Sequence, residues 1–381
     1  MPQGHFPHPL HIRSIRLENF RGYSSKKIFI HGDIVIFIGA NGAGKSTILE
    51  AISLMSSLKS FRGANDKDMI QHDCSRYLVE LEYESISGMH KMSMGFGGAD
   101  RNDKTERRMR IDENSANRIS DFIGHFQTVV FAPDDINIIE GGPGERRRFI
   151  DIVLASLHTE YLVSLQSYKR ILKLRSACFY KAGGRADEKL VASMDHDLIK
   201  FGCIIQKTRN EFLSEFEGIF SRLVNYVSSG SDAWKIRYQP SIKDGNVSEK
   251  YRSAIESTRA EDMKMRQTTH GIHRDRILFT DQKSGENDIS RVGSQGQKRT
   301  VVLALKMAQF EYTKKRKSEK PVLLIDDVLN ELDIERRKKF ITFLHDAGQA
   351  FITATDISAL NDFINDKKET AEFQILYMDK I

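Results

Sequence analysis

The sequence predicts an α/β core built around a phosphate-binding loop and interrupted by a helical lobe, and three observations predict it. Residues 39–46 read Gly39-Ala40-Asn41-Gly42-Ala43-Gly44-Lys45-Ser46, between the apolar run Ile34-Val35-Ile36-Phe37-Ile38 and a helical stretch that continues Thr47-Ile48-Leu49. Far along the chain, Pro321-Val322-Leu323-Leu324-Ile325 ends in two carboxylates, Asp326-Asp327. Between these segments lie long helical patterns without the sustained heptads of a coiled coil.

Each residue type in the loop has a physical task. The glycines let the backbone curl until several N–H groups face one phosphate. Lys45 has the reach for the β- and γ-phosphates, and the Ser46 hydroxyl suits Mg²⁺. The helix that follows adds the positive end of its dipole, and the uninterrupted apolar run before it fits a parallel strand buried on both faces. Gly39 through Ser46, with Thr47, are therefore the candidate contacts to a nucleoside triphosphate. Asp326, at the end of the second apolar run, is placed to hold Mg²⁺ directly or through water. Asp327 is placed to polarise the attacking water.

The elements follow in order. Residues 1–11, rich in Pro and His, read as a loose extension. Alternating apolar positions from Leu10 to about Asp33, and again from Tyr77 to Phe96 around Ser87-Gly88, predict antiparallel strands beside the nucleotide site. Phe149–Lys181 and Asp187–Val227 read as long helices broken at Gly183-Gly184. The expected organisation is a split head, residues 12–144 and 270–381, with residues 145–269 as the helical lobe. Before the carboxylate strand, Gly293-Ser294-Gln295-Gly296-Gln297 leads into a helix through Val301–Ala308, a second helix start suited to an anion. Its form is similar to the Leu-Ser-Gly-Gly-Gln signature of ABC-type ATPases, with Gly293 for Leu and Gln295 for the first Gly. Ser294, Gly296 and Gln297 keep the pattern and are candidate phosphate contacts.

Composition narrows the class. A chain of 381 residues exceeds one small core, so two domains are expected. No run approaches a membrane span, and Met1–Pro9 lacks the basic-then-apolar order of a secretory signal, so a cytoplasmic protein with no membrane role is expected. Cys74, Cys178 and Cys203 show no paired spacing and read as reduced thiols. The net charge of +6 is modest, but basic residues cluster at 101–110, 145–148, 314–317 and 336–339. On a nucleotide-binding chain such clusters point to nucleic acid; Arg147 and Arg148 are candidates, for DNA or for a local structural role.

Several motifs together carry a family resemblance. They are Leu17-Glu18-Asn19-Phe20-Arg21, the phosphate loop, Phe131-Ala132-Pro133-Asp134-Asp135, and Gly141-Gly142-Pro143 leading to Arg147-Arg148-Phe149-Ile150-Asp151. Further on come Gly271-Ile272-His273-Arg274-Asp275, Ser294-Gln295-Gly296-Gln297-Lys298-Arg299, Asp326-Asp327-Val328-Leu329-Asn330-Glu331-Leu332-Asp333 and Phe351-Ile352-Thr353-Ala354-Thr355-Asp356. From about Ile12 to its end the chain resembles the RecF family of ABC/SMC-type ATPase heads. The resemblance implies an α/β ABC/SMC-type P-loop head with a mixed sheet and a helical insertion lobe, a weak ATPase using ATP and Mg²⁺. It also implies an ATP-dependent homodimer on gapped DNA at single-strand/double-strand junctions, acting with RecR and RecO to load RecA in DNA repair and replication restart. On that pattern Arg21 approaches the nucleotide phosphates and Asp333 lies toward a second subunit. Thr355 stands where transporter ATPases carry a switch histidine. Ile272 and Arg276 depart from the family's usual Pro and Asp, so His273-Arg274 reads equally as a functional motif or a structural turn. Gln127 is a candidate lid glutamine. Two other functions compete: a non-hydrolytic SMC-like DNA clamp, and an ABC transporter energy subunit, against which the Asp-Asp pair, the helical insertion and the basic clusters all argue.

Overall fold

The apolar runs that read as buried strands pair with one another. In the computed structural model, which describes residues 8–98, 105–181, 188–243, 245–281, 285, 287–360, 364 and 371–379, five strands form an all-parallel sheet. Its order is Phe373–Tyr377, Ile34–Ile38, Ala350–Ala354, Val322–Asp326, Thr128–Phe131. The three middle strands are buried at every position, as a parallel sheet covered on both faces requires. A second sheet of six antiparallel strands runs Tyr23–Phe29, His11–Phe20, Arg76–Ser85, Gly88–Gly97, Glu106–Ile111, Asn114–Ser115. Its strand Arg76–Ser85 alternates buried and more open positions, so only one face meets the core. Parallel and antiparallel pairing thus both occur, divided between two sheets.

Helix Lys45–Ser57 is buried along almost its whole length, which its sequence allows by placing Ile48, Leu49, Ile52, Leu54 and Met55 around it. Those side chains share one core with Leu17, Val79 and Met94 of the antiparallel sheet and with Phe37, Leu324 and Phe351 of the parallel one. The phosphate-loop helix is therefore held between the sheets.

Contacts divide the chain into two units, residues 1–136, 225–231 and 299–381, and residues 137–224 and 232–298. These edges differ from the expected 12–144, 145–269 and 270–381. Residues 270–298 group with the helices because strand Arg276–Thr280 pairs with Lys235–Gln239. The buried Arg146 guanidinium also holds the Asp288 carboxylate at 2.6 and 2.8 Å. The expected loose extension is corrected as well: His8–Pro9 pairs in parallel with Glu319–Lys320, and Leu10 is fully buried. Residues 1–7 lie outside the described residues, as does the Gly183-Gly184 break.

The helical unit carries helices Pro143–Leu157, Thr159–Lys181 and Glu188–Val227. The single helix expected over Phe149–Lys181 is two, because a helix already starts at Pro143 after Gly142 and stops at His158, which is extended. The turn between them lets the Tyr161 hydroxyl donate to Asp151 at 2.6 Å. Asp151 and Asp275 together hold the buried Arg209 guanidinium, at 2.8 and 2.7 Å. Beside this pairing, Tyr168 donates to His273 Nδ1 at 2.8 Å, and His273 Nε2 donates to the Thr268 carbonyl at 2.9 Å. His273 is thereby the pin of a turn, and burial pushes its pKa down to about 4. The unfolded imidazole binds a proton near pH 6.5 while the folded one does not, so the contribution of His273 to stability is constant above that pH and falls as pH drops toward 4. We expect a loss of at most about 3 kcal/mol over that window. Thermal midpoints at pH 7 and pH 5 check it: the decrease should shrink in His273→Gln.

Candidate functional site

The parallel sheet brings the ends of three strands to one edge. Gly39 follows Ile38, Asp326 ends its own strand, and Thr353 lies opposite Asp326 in the parallel register. The loop between Ile38 and helix Lys45–Ser57 needs glycine for two different reasons. Gly42 and Gly44 adopt φ of +85° and +84°, which suit a residue without Cβ. At Gly39 the limit is space, since a Cβ there would stand 2.5 Å from the Met378 carbonyl oxygen. Ala40, Asn41 and Gly42 are exposed at the loop's crest, whereas Ala43, Lys45 and Thr47 are buried. The Lys45 ammonium folds over the loop and donates to the carbonyls of Gly39 and Ala40, at 2.7 and 3.0 Å.

Ser46 and Asp326, remote in sequence, meet here. The Ser46 hydroxyl donates to Asp326 Oδ1 at 2.6 Å, and Thr353 donates to the same oxygen at 2.9 Å. A serine hydroxyl and a carboxylate converging beside a phosphate loop are hard oxygen donors of the kind Mg²⁺ takes, so the residues fit that ion. Asp327 has a left-handed backbone, φ 51° and ψ 14°, held by a bond from its N–H to Thr353 Oγ1 at 3.0 Å. Its Oδ1 is buried with no hydrogen-bond partner among the described residues. Burial raises the Asp327 pKa above the usual carboxylate range, the charges of Asp326 and Glu331 add to this, and Lys45 opposes it. An unpartnered carboxylate oxygen beside the nucleotide edge is what a base needs before its proton donor arrives.

The other expected site residues have partners of their own. Arg21, at φ 55° between two antiparallel strands, donates to both oxygens of Glu50, at 3.1 and 2.8 Å, and to the Asp68 carbonyl at 3.0 Å. Glu50 is fully buried on the phosphate-loop helix, so it ties Arg21 to that helix. The one signal for it was an acid set between Leu49 and Ala51 in an apolar helix. Gln127 is corrected: the strand after it runs parallel to Val322–Asp326 with Thr128 opposite Val322, so Gln127 sits at the end of the sheet away from Asp326. There its carbonyl accepts from Val322 N at 3.0 Å. Asp333 caps helix Ile334–Leu344 by accepting from Arg336 N at 2.9 Å.

Ser294 and its neighbours belong to the helical unit, at the start of helix Gln295–Lys317, six residues ahead of the expected Val301 start. Ser294 Oγ accepts from Gln297 N at 3.2 Å while Gln297 Oε1 accepts from Ser294 N at 3.0 Å, a reciprocal cap. Gln297 also donates to Asp232 at 3.0 Å. Gly296 lies in the first turn. The glycine that replaces the signature's leucine has a steric reason: a Cβ on Gly293 would be 2.4 Å from Ile289 Cγ1.

The basic clusters separate by what they touch. In the last two, Lys317 donates to the Gly124 carbonyl, Arg336 pairs with Asp333 and Thr300, Arg337 bonds the Leu329 carbonyl and Lys339 bonds Tyr226. Arg147 donates to the Asp275 carbonyl at 2.8 Å, a structural role, while Arg148 is exposed. On the open face of the antiparallel sheet the situation differs. A groove of about 740 Å³, floored by Ser93 and Gly95, is lined by Arg76, Arg108 and Arg110. All three are exposed and make no ion pair among the described residues. Of the three acids that line the groove, Glu18, Glu80 and Glu106, the first two are paired with Arg16 and Lys91. Arg101 and Lys104 lie outside the described residues.

Comparison with known proteins places this geometry. The family model of the RecF/RecN/SMC N-terminal domain matches residues 11–371. The DNA replication and repair protein RecF of Leptospira interrogans is 33% identical over 370 residues, covering 97% of this chain and 98% of that one. RecF of Streptococcus gordonii is 34% identical over 361 residues, covering 94% and 97%. The solved structure of the recombination mediator protein RecF with ATP, from the RecFOR pathway, superposes with a TM-score of 0.84 at 29% identity, covering 93% and 94%. An SMC head from Pyrococcus furiosus, at TM-score 0.50 and 17% identity, shares the fold. Alike over nearly its whole length, and with its phosphate loop and carboxylate strand joined at one sheet edge, the chain belongs to the RecF family of SMC-type ATPase heads.

Proposed function

We propose that this protein is an ATP-dependent DNA-binding recombination mediator of the cytoplasm, which hydrolyses ATP slowly, as a switch. The observation that carries the reading is the Ser46–Asp326–Thr353–Asp327 constellation beside the phosphate loop. Lys45 is on hand to leave its two carbonyl partners for the phosphate oxygens. Mg²⁺, held by Ser46 and Asp326, neutralises phosphate charge when bound. Asp327 accepts the proton of the attacking water through the oxygen that has no other partner among the described residues. Gly39 to Thr47 enclose the triphosphate from one side, and Arg21 approaches it from the turn fixed by Glu50. In a homodimer formed on ATP, Ser294, Gly296 and Gln297 of the second copy face the γ-phosphate.

The DNA part of the reading is supported by the relatives, DNA replication and repair proteins, and by the groove arginines, which make no ion pair among the described residues. The substrate class is gapped DNA with a single-strand/double-strand junction, and the pathway partners are RecR and RecO, which help load RecA. Turnover by the purified protein with and without gapped DNA tests the reading. Slow turnover raised by DNA supports it, and absent turnover with intact ATP binding favours a non-hydrolytic clamp. A second measurement tests the groove. In Arg108→Glu/Arg110→Glu, DNA affinity should fall, and the slope of log affinity against log salt should decrease by about 1.4 to 1.8 if each arginine meets one phosphate. Unchanged affinity and slope would remove the groove from the DNA surface.

A further inference from the structure

We propose that Thr353 is a positioning residue of the hydrolytic site, whose one hydroxyl sets the Asp326 carboxylate and the Asp327 backbone together. The proposal rests on the nucleotide-site reading above. Strand Ala350–Ala354 is buried at every position, and within Ala350-Phe351-Ile352-Thr353-Ala354 only Thr353 carries a side-chain polar group. Thr353 is 3% exposed and faces Asp326 across the parallel register. A hydroxyl has a single proton to give. Because a carboxylate only accepts, that proton goes to Asp326 Oδ1 at 2.9 Å, and the oxygen is left to accept the Asp327 N–H at 3.0 Å. The polarity of both bonds is therefore determined.

Each bond has its own consequence. With Ser46 donating to the same Oδ1 at 2.6 Å, Thr353 gives the carboxylate a second anchor from the neighbouring strand. That limits its rotation on the side where Ser46 completes the Mg²⁺ site. The second bond anchors a non-glycine residue at φ 51°, a conformation that needs support from its surroundings. In that conformation the Asp327 Oδ1 is buried without a partner among the described residues. Thr353 thus couples the residue that holds the ion to the residue that takes the proton.

Thr353→Val keeps the shape and removes both bonds, whereas Thr353→Ser keeps both. The test uses the full-length chain with a fluorescent ATP analogue, titrated in Mg²⁺ and in EDTA, together with kcat for ATP. In Thr353→Val the gain in nucleotide affinity brought by Mg²⁺ should fall about tenfold and kcat by about ten- to a hundredfold, the range seen when a residue orienting a metal ligand is lost. Affinity in EDTA should stay within about twofold, because the phosphate loop itself is untouched, and Thr353→Ser should recover most of both losses. Should the valine chain fail to fold, Thr353→Ala takes its place with the same readouts. A Mg²⁺ gain and kcat equal to wild type in Thr353→Val, or a serine variant as impaired as the valine one, overturns the proposal. Wild-type protein that binds the analogue with Mg²⁺ yet never turns over ATP would overturn the hydrolytic reading instead, and the binding arm would still decide on Thr353.

Discussion

Asp327→Asn should bind ATP as wild type does and lose nearly all hydrolysis. The amide keeps the volume, and Asp326, Ser46 and Lys45 keep their bonds to one another and to the loop. What disappears is the ability to accept a proton at an oxygen that has no partner among the described residues. Losing a general base costs about two to four decades in rate, or about 3 to 5 kcal/mol of transition-state stabilisation. The check is single-turnover hydrolysis alongside equilibrium ATP binding. Lys45→Ala is the contrasting variant, because it removes the ammonium from the phosphate loop and should weaken binding itself. Wild-type turnover by Asp327→Asn would transfer the base to another group.

Ser294→Arg should abolish ATP-dependent dimers while leaving ATP binding by the single chain nearly intact. On the proposed reading the phosphate loop encloses the triphosphate from one side only, and the helix start at Ser294 belongs to the other unit of the chain. Two copies related by a two-fold axis can present each helix start to the other's γ-phosphate, satisfying both sites with one self-complementary interface. The reciprocal cap between Ser294 and Gln297, held by Asp232, orders that helix start before any anion reaches it. ADP lacks the phosphate to be shared, so the dimer should form with ATP alone. Light scattering of wild type and Ser294→Arg in each nucleotide decides this. Hydrolysis should fall in parallel, because the site is completed from the second copy. Dimers of the arginine variant in ATP, or equal dimers of wild type in ADP, would separate nucleotide from interface.

Much of the nucleotide site was legible as sequence because it is written in local chemistry. A glycine-rich loop between a fully apolar run and a helix has one reading, and strand Ile34–Ile38 and helix Lys45–Ser57 stand where it placed them. The alternation around Ser87-Gly88 likewise became the hairpin Arg76–Ser85 and Gly88–Gly97, since a one-sided sheet must repeat every second residue. Gln127 was misjudged because a sequence does not say which end of a parallel strand reaches the phosphate edge. Register with Val322 decides that. The lobe boundaries shifted for a similar reason: residues 270–298 look like a return to strands, yet their strand pairs with Lys235–Gln239 and their Asp288 is held by Arg146.

By itself, then, the sequence determined the phosphate loop, the paired carboxylates, the capped helix start at Ser294 and the family, because each depends on residue types within a few positions of one another. Only the tertiary structure decided which residues serve those motifs from a distance. Thr353 between Asp326 and Asp327, Glu50 beneath Arg21, His273 as the pin of its turn, and the three groove arginines without an ion pair among the described residues all follow from the pairing of strands and helices across the fold. The physical reason is that a hydrogen bond or ion pair is satisfied by whatever folding brings within about 3 Å, and separation along the chain sets no limit on that partner.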